Sequence, residues 1–185
     1  KHRLPDRPTV VFLASKPSPP HTAALNWVRR IAAAIPEFTF LVVGGLVPKS
    51  DSDGNFVATG IVEDPAEFLK AADMAICPGE FGGGTKIKTL ECVSVGLPTV
   101  VFAEALHGTT LQSPEHVALC SPDESEIVGA LRRIESDLEA ATRMGHAGRA
   151  VIVQHYDWKA SAAILEDALI KRVEKRTASR LGRDV

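Results

Sequence analysis

Short runs of β-branched and aromatic residues alternate with segments of helical period along this chain, and that alternation limits the fold more than any other feature. The runs are TVVFLAS (9–15), FTFLVVGG (38–45), FVATG (56–60), DMAICP (73–78), LPTVVFA (97–103) and HVALC (116–120). The first two are apolar on both faces, the pattern of parallel strands buried between two layers. Between them TAALNWVRRIAAAI (22–35) has helical spacing, with Leu25, Val28, Ile31 and Ala32 on one face and Arg29 and Arg30 off it. EDPAEFLKAA (63–72) carries a start signal of its own. Asp64 suits an N-cap, Pro65 the first helical position, and Glu67 completes a capping-box spacing. SPDESEIVGALRRIES (121–136) repeats that logic with Ser121, Pro122 and Glu124, and two more helices are expected near 137–153 and, after Asp157 as cap, 158 to about 175.

Strand–helix alternation through short connections implies a parallel sheet covered on both faces. The expected fold is α/β, one Rossmann-like doubly wound sheet. With 185 residues, 45% apolar, the chain has material for one well-filled core and not for two large ones. It is therefore taken as one domain over 1–185, with 155–185 as a C-terminal helix and basic tail. Such sheets bind ligands beyond the carboxyl ends of their strands. Candidate ligand residues then fall in the turns 15–21, 44–47, 60–64, 78–86 and 103–109.

Composition removes several classes. A formal net charge of −2 does not suit a nucleic-acid binder held by counterion release. The basic run Lys171, Arg172, Lys175, Arg176, Arg180 and Arg183 is preferred as a solvated helix end, with an anionic partner or peripheral membrane contact as the alternative. Cys77, Cys92 and Cys120 are odd in number and lack CxxC spacing, which reads as buried free thiols in a reducing compartment. No apolar stretch approaches the roughly 20 residues of a membrane span, and the charged start KHRLPDRP is unlike a signal peptide. A cytoplasmic location is expected.

GEFGGGTKIKTLEC (79–92) sits where the fourth strand turns into a helix. Gly82, Gly83 and Gly84 allow positive φ and close approach of a ligand to the backbone. The helix that follows exposes free N–H groups and the positive end of its dipole, which together favour an anion. Thr85 adds a hydroxyl. Lys86 is informative because a cation in the first turn opposes the dipole unless an anion compensates it, as a phosphate or diphosphate would. A P-loop would need Gly-Lys-Ser/Thr where the order is Gly84-Thr85-Lys86, and a dinucleotide GxGxxG turn belongs after the first strand, where this chain has ASKPSPP. Glu91 leans toward the helix N-terminus. It either accepts two ribose hydroxyls or forms a surface ion pair with Lys88 worth about 0.5 kcal/mol or less; the residues alone leave both open.

ADMAICPGEFGGGTKIKTLECVSVGLPTVV (72–101) resembles the donor-binding signature of group 1 glycosyltransferases (family 4, GT-B fold), of the form aDv...P...G.G.K.klLEAma.G.PVV. VVFLASKPSPPHTAALNWV and YDWKASAAILEDAL are similar to the start and end of the same domain. The resemblance implies a retaining transfer of a sugar from a nucleotide-sugar, UDP- or GDP-linked, with no further cofactor. It also implies that this chain is the C-terminal, donor-binding half, inactive by itself, while a missing N-terminal domain holds the acceptor. By position, Glu91 would bind the ribose, and the backbone of Gly82, Gly83, Gly84 and Thr85 the diphosphate. Ser15 and Lys16 would face the diphosphate, and Gly60, Ile61 and Val62 would border the base. Lys86 and Glu91 are the candidate catalytic residues. Gly83 stands where the family often has a glutamate for the donor sugar, with Glu80 out of register, and His21 replaces a common asparagine. Without a DxD triplet after a strand, no metal is expected. The alternatives are a GT-B-like nucleotide-sugar epimerase, which would need acid/base carboxylates and histidines around the sugar, and a non-catalytic nucleotide-binding module.

Overall fold

A computed structural model describes residues 7–80, 84 and 86–181. The strands are β1 (Thr9–Leu13), β2 (Thr39–Val43), β3 (Phe56–Ala58), β4 (Met74–Cys77), β5 (Thr99–Val101) and β6 (Ala118–Leu119). The helices are α1 (Pro19–Ala34), α2 (Pro65–Lys70), α3 (Ile87–Ser94), α4 (Glu124–Ser136), α5 (Leu138–Tyr156) and α6 (Trp158–Leu181). All strand pairs are parallel, in the order β3-β2-β1-β4-β5-β6. This is the expected α/β, Rossmann-like sheet. Strand order reverses between β1 and β4, and the crevice that opens there is where such a sheet binds its ligand.

The strands separate two layers by their period of two. Val10 and Phe12 of β1, Phe40 and Val42 of β2 and Ile76 of β4 face a core completed by Val28 and Ile31 of α1 and Ile127 and Leu131 of α4. Val11, Leu13, Leu41, Val43 and Ala75 face the other way, onto Leu69 of α2 and Cys92 of α3. Leu25, Val28, Ile31 and Ala32 are buried, as their spacing predicts. Each larger aliphatic side chain among them contributes about 1.5–3 kcal/mol by leaving water.

Several boundaries differ from the sequence reading, each for a local reason. Strand β1 ends at Leu13, although Ala14 N–H still donates to Val43 O at 2.8 Å and the chain turns beyond it. The carbonyls of Ala14 and Ser15 accept from Leu46 N–H at 3.0 Å and Gly45 N–H at 3.1 Å. Gly44, at φ +121°, passes so close that a Cβ would sit 2.5 Å from the Ala14 oxygen. Helix α1 begins at Pro19, not Thr22, because Pro19 and Pro20 occupy positions whose N–H groups would be unsatisfied in any case. The cap of α4 is Asp123, whose carboxylate accepts from the N–H groups of Ser125 and Glu126, not Ser121. Asp64 does cap α2, accepting from Ala66 N–H at 2.8 Å. The polar segment 48–55 contains a 3-10 turn and ends at Asn55. The Asn55 amide donates to the carbonyls of Ala32, Ile35 and Phe38, closing the C-terminal end of α1.

Candidate functional site

The ends of β1 and β4, the first turns of α1 and α3, and Ala105 enclose a crevice of about 410 Å³. Phe12, Leu13 and Ala24 give it an apolar floor. Its polar groups are His21 from α1 and Lys86, Lys88 and Thr89 from the start of α3, with Cys77 at the end of β4. Thr89 is fixed by donating to Ala105 O at 3.0 Å, which ties α3 to the 3-10 turn after β5.

The predicted site residues fall into three groups. Ser15 and Lys16 are exposed at the exit of β1, on a backbone held by Gly45 and Leu46. Gly60 (φ +69°), Ile61 and Val62 lie after β3. Ile61 is 89% exposed, while Val62 packs against the core cluster that contains Cys92, on the α3 side of the sheet. These three do not line the crevice; Val62 borders a separate, shallow depression with Asp64 and Phe68. Gly82, Gly83 and Thr85 lie outside the described residues. Gly84 is described, exposed and at φ +77°.

Lys86 precedes the first residue of α3 and lines the crevice. Its cationic position already has a carboxylate opposite, since Nζ lies 3.3 Å from Glu104 Oε1. A ligand anion would therefore share this lysine with Glu104. Glu91 is in the second turn of α3, exposed and outside the crevice lining. Partial loss of solvent pushes its carboxyl above the usual glutamate range, with the Lys88 charge opposing that rise. Glu80 accepts a hydrogen bond from the Trp27 indole, which ties it to α1.

The geometry also brings together two side chains that the sequence placed apart. Lys88 does not reach Glu91 as a surface pair; its Nζ lies 2.7 Å from His21 Nε2. His21 Nδ1 in turn lies 2.7 Å from Lys16 O. Lys88 is four residues before the buried Cys92 and so shares its face of α3, which was the available signal that it points inward. Burial lowers its ammonium pKa, partly offset by the Cys77 and Glu91 sides of its surroundings. Cys77 and Cys92 are free thiols; interaction with Cys77, then burial, pushes the Cys92 thiol well up. Among the described residues no helix is long and apolar enough to cross a membrane.

Comparison with known proteins agrees with this fold. The family model described as "Glycosyl transferases group 1" matches residues 7–137. No curated protein matches the chain. Among solved structures, the C-terminal domain of a group 1 family glycosyl transferase (LpcC) from Francisella tularensis superposes with a TM-score of 0.65. The two share 15% identity, over 82% of this chain and 87% of that one. Sucrose-phosphate synthase from Thermosynechococcus elongatus gives 0.75 at 22% identity, over 94% of this chain and 47% of its own. Anabaena HepE, in complex with UDP and glucose, gives 0.76 at 14% identity, over 90% and 49%. The chain thus spans about half the length of these last two. A parallel sheet in this order, a crevice at its switch point and a family match over most of the sequence lead to one assignment: the chain belongs to the group 1 glycosyltransferases.

Proposed function

We propose that this chain is the donor-binding part of a retaining glycosyltransferase, holding a nucleoside-diphosphate sugar, UDP- or GDP-linked, for transfer to an acceptor bound by an N-terminal domain outside this sequence. The observation that carries the reading is the crevice between β1 and β4, with the N-terminus of α3 and two lysines on its wall. Anabaena HepE, which shares the fold, is described in complexes with UDP and with UDP-glucose, in support of this ligand class. The diphosphate would lie against residues 82–85 and the first amides of α3, faced by Lys86 and by Ser15 and Lys16 across the crevice. Glu91 would accept the ribose hydroxyls. The turn of Gly60, Ile61 and Val62, on the same side of the sheet as α3, would border the base.

The chemistry follows from where charge develops. As the bond from the sugar's anomeric carbon to the diphosphate breaks, negative charge grows on the bridging oxygen. Amide N–H groups and ammonium groups fixed beforehand at that point stabilise the departing diphosphate more than the intact donor, and so lower the barrier. No residue is assigned as a general base, and no metal or further cofactor is assigned. The reaction is placed in the cytoplasm. This chain alone is expected to bind donor without transferring it. Calorimetric titration of the folded chain with UDP, GDP, ADP and their sugar conjugates tests the reading. Binding of at least one is expected. Failure of every one to bind a chain shown by circular dichroism to be folded would refute it.

A further inference from the structure

The crevice wall contains two lysines of unlike standing. Lys86 has the Glu104 carboxylate 3.3 Å away. Lys88 has no carboxylate within ion-pair distance among the described residues. Its short contact is with an imidazole, at 2.7 Å. The protonation of that imidazole follows from its other partner. Lys16 O can only accept, so His21 Nδ1, 2.7 Å away, must carry a hydrogen. An ammonium has only donors, so Nε2 must offer its lone pair. A proton on both nitrogens would set two donors against each other at 2.7 Å. The three groups form one directed chain: Lys88 ammonium to His21 Nε2, and His21 Nδ1–H to the Lys16 carbonyl.

This chain crosses the sheet. His21 belongs to α1, on one face, and Lys88 to α3, on the other, so the contact passes over the ends of β1 and β4 within the crevice. One of the three ammonium hydrogens is spent on His21, which fixes where the remaining two can point. Burial that costs a cation its hydration is relieved by an anion arriving beside it. We infer that Lys88, held over the strand ends by His21, is the principal cation for the donor diphosphate, and that His21 is a positioning residue acting through it. This rests on the nucleoside-diphosphate reading of the crevice and assigns two residues of this chain to it. Lys86, shared with Glu104, then contributes less.

The experiment has two parts, both on the folded chain. Without ligand, 15N NMR of the His21 ring should show the Nδ1–H tautomer, which is the minor form of a free imidazole. An Nε2–H tautomer would overturn the bridge whatever the chain binds. With ligand, inorganic pyrophosphate and UDP, GDP and ADP are titrated into wild type and variants. Lys88→Ala should weaken pyrophosphate and the bound nucleotide by about ten- to a hundredfold, the range of one charge-assisted hydrogen bond, with Lys86→Ala losing less. His21→Gln, which keeps an acceptor near the Nε2 position, should bind more tightly than His21→Phe. A role in packing alone would favour the ring of phenylalanine. In a Lys88→Ala background the difference between the two His21 variants should disappear. Lys88→Ala binding like wild type, or losing less than Lys86→Ala, would overturn this assignment while leaving the donor site standing. Wild type binding none of the ligands would overturn both.

Discussion

Glu91 shows at the scale of one residue how a group proposed for ligand binding can oppose stability. Its carboxyl is raised by partial burial, so folding favours the protonated form. The penalty for the charged form is complete at pH values above the raised pKa. It vanishes as pH falls below the ordinary glutamate value of about 4.3. Glu91→Gln should therefore raise the melting temperature of the ligand-free chain at pH 7, and that gain should be gone near pH 4. The same variant should weaken nucleoside diphosphate about tenfold, through loss of charge-assisted bonds to the ribose, while pyrophosphate changes far less. Thermal melts at the two pH values and paired titrations check both. A gain in stability with equal loss of the two ligands would deny Glu91 its ribose role.

At the scale of elements, glycine and asparagine do work that helix propensity conceals. Gly145 lies inside α5, where alanine would be the better helix former by about 1 kcal/mol. A Cβ there would fall 2.0 Å from the Gly96 carbonyl oxygen, because α5 crosses against the turn that links α3 to β5. Gly145→Ala should thus destabilise the fold, by about 1–3 kcal/mol, as read from urea unfolding. Asn55→Ala should cost about 1–3 kcal/mol by stranding the part-buried carbonyls of Ala32, Ile35 and Phe38. These two positions mark where the sequence stopped being legible. The strands, the inward face of α1 and the cap at Asp64 follow from local patterns, since period, β-branching and capping chemistry act within a few residues. Asn55 meets α1 some twenty residues earlier in the chain, and Gly145 meets a turn some fifty residues away. In the site, the start of α3 just after the glycines is local and was readable from GGGTKIK. The Lys88–His21 contact spans 67 positions and depends on strand order, which no local pattern contains.

At the scale of the molecule, the sheet and its two helical layers are distinct from α6. Helix α6 follows α5 directly, and residues 161–176 are exposed throughout, including Ile164, Leu165, Leu169 and Ile170. A chain ending at Asp157 should unfold within about 1 kcal/mol of the full sequence and bind the same nucleotides; a larger loss would make α6 part of the core. The strand reversal at β1 and β4 instead determines where a ligand can enter, and a nucleoside diphosphate is the ligand proposed for that place. Amide hydrogen exchange with and without whichever of UDP, GDP or ADP binds most tightly tests it directly. Added protection is expected in 15–21, 60–62 and 82–91, with α4 to α6 unchanged. Protection confined to α4–α6, or none at saturating nucleotide, would contradict it.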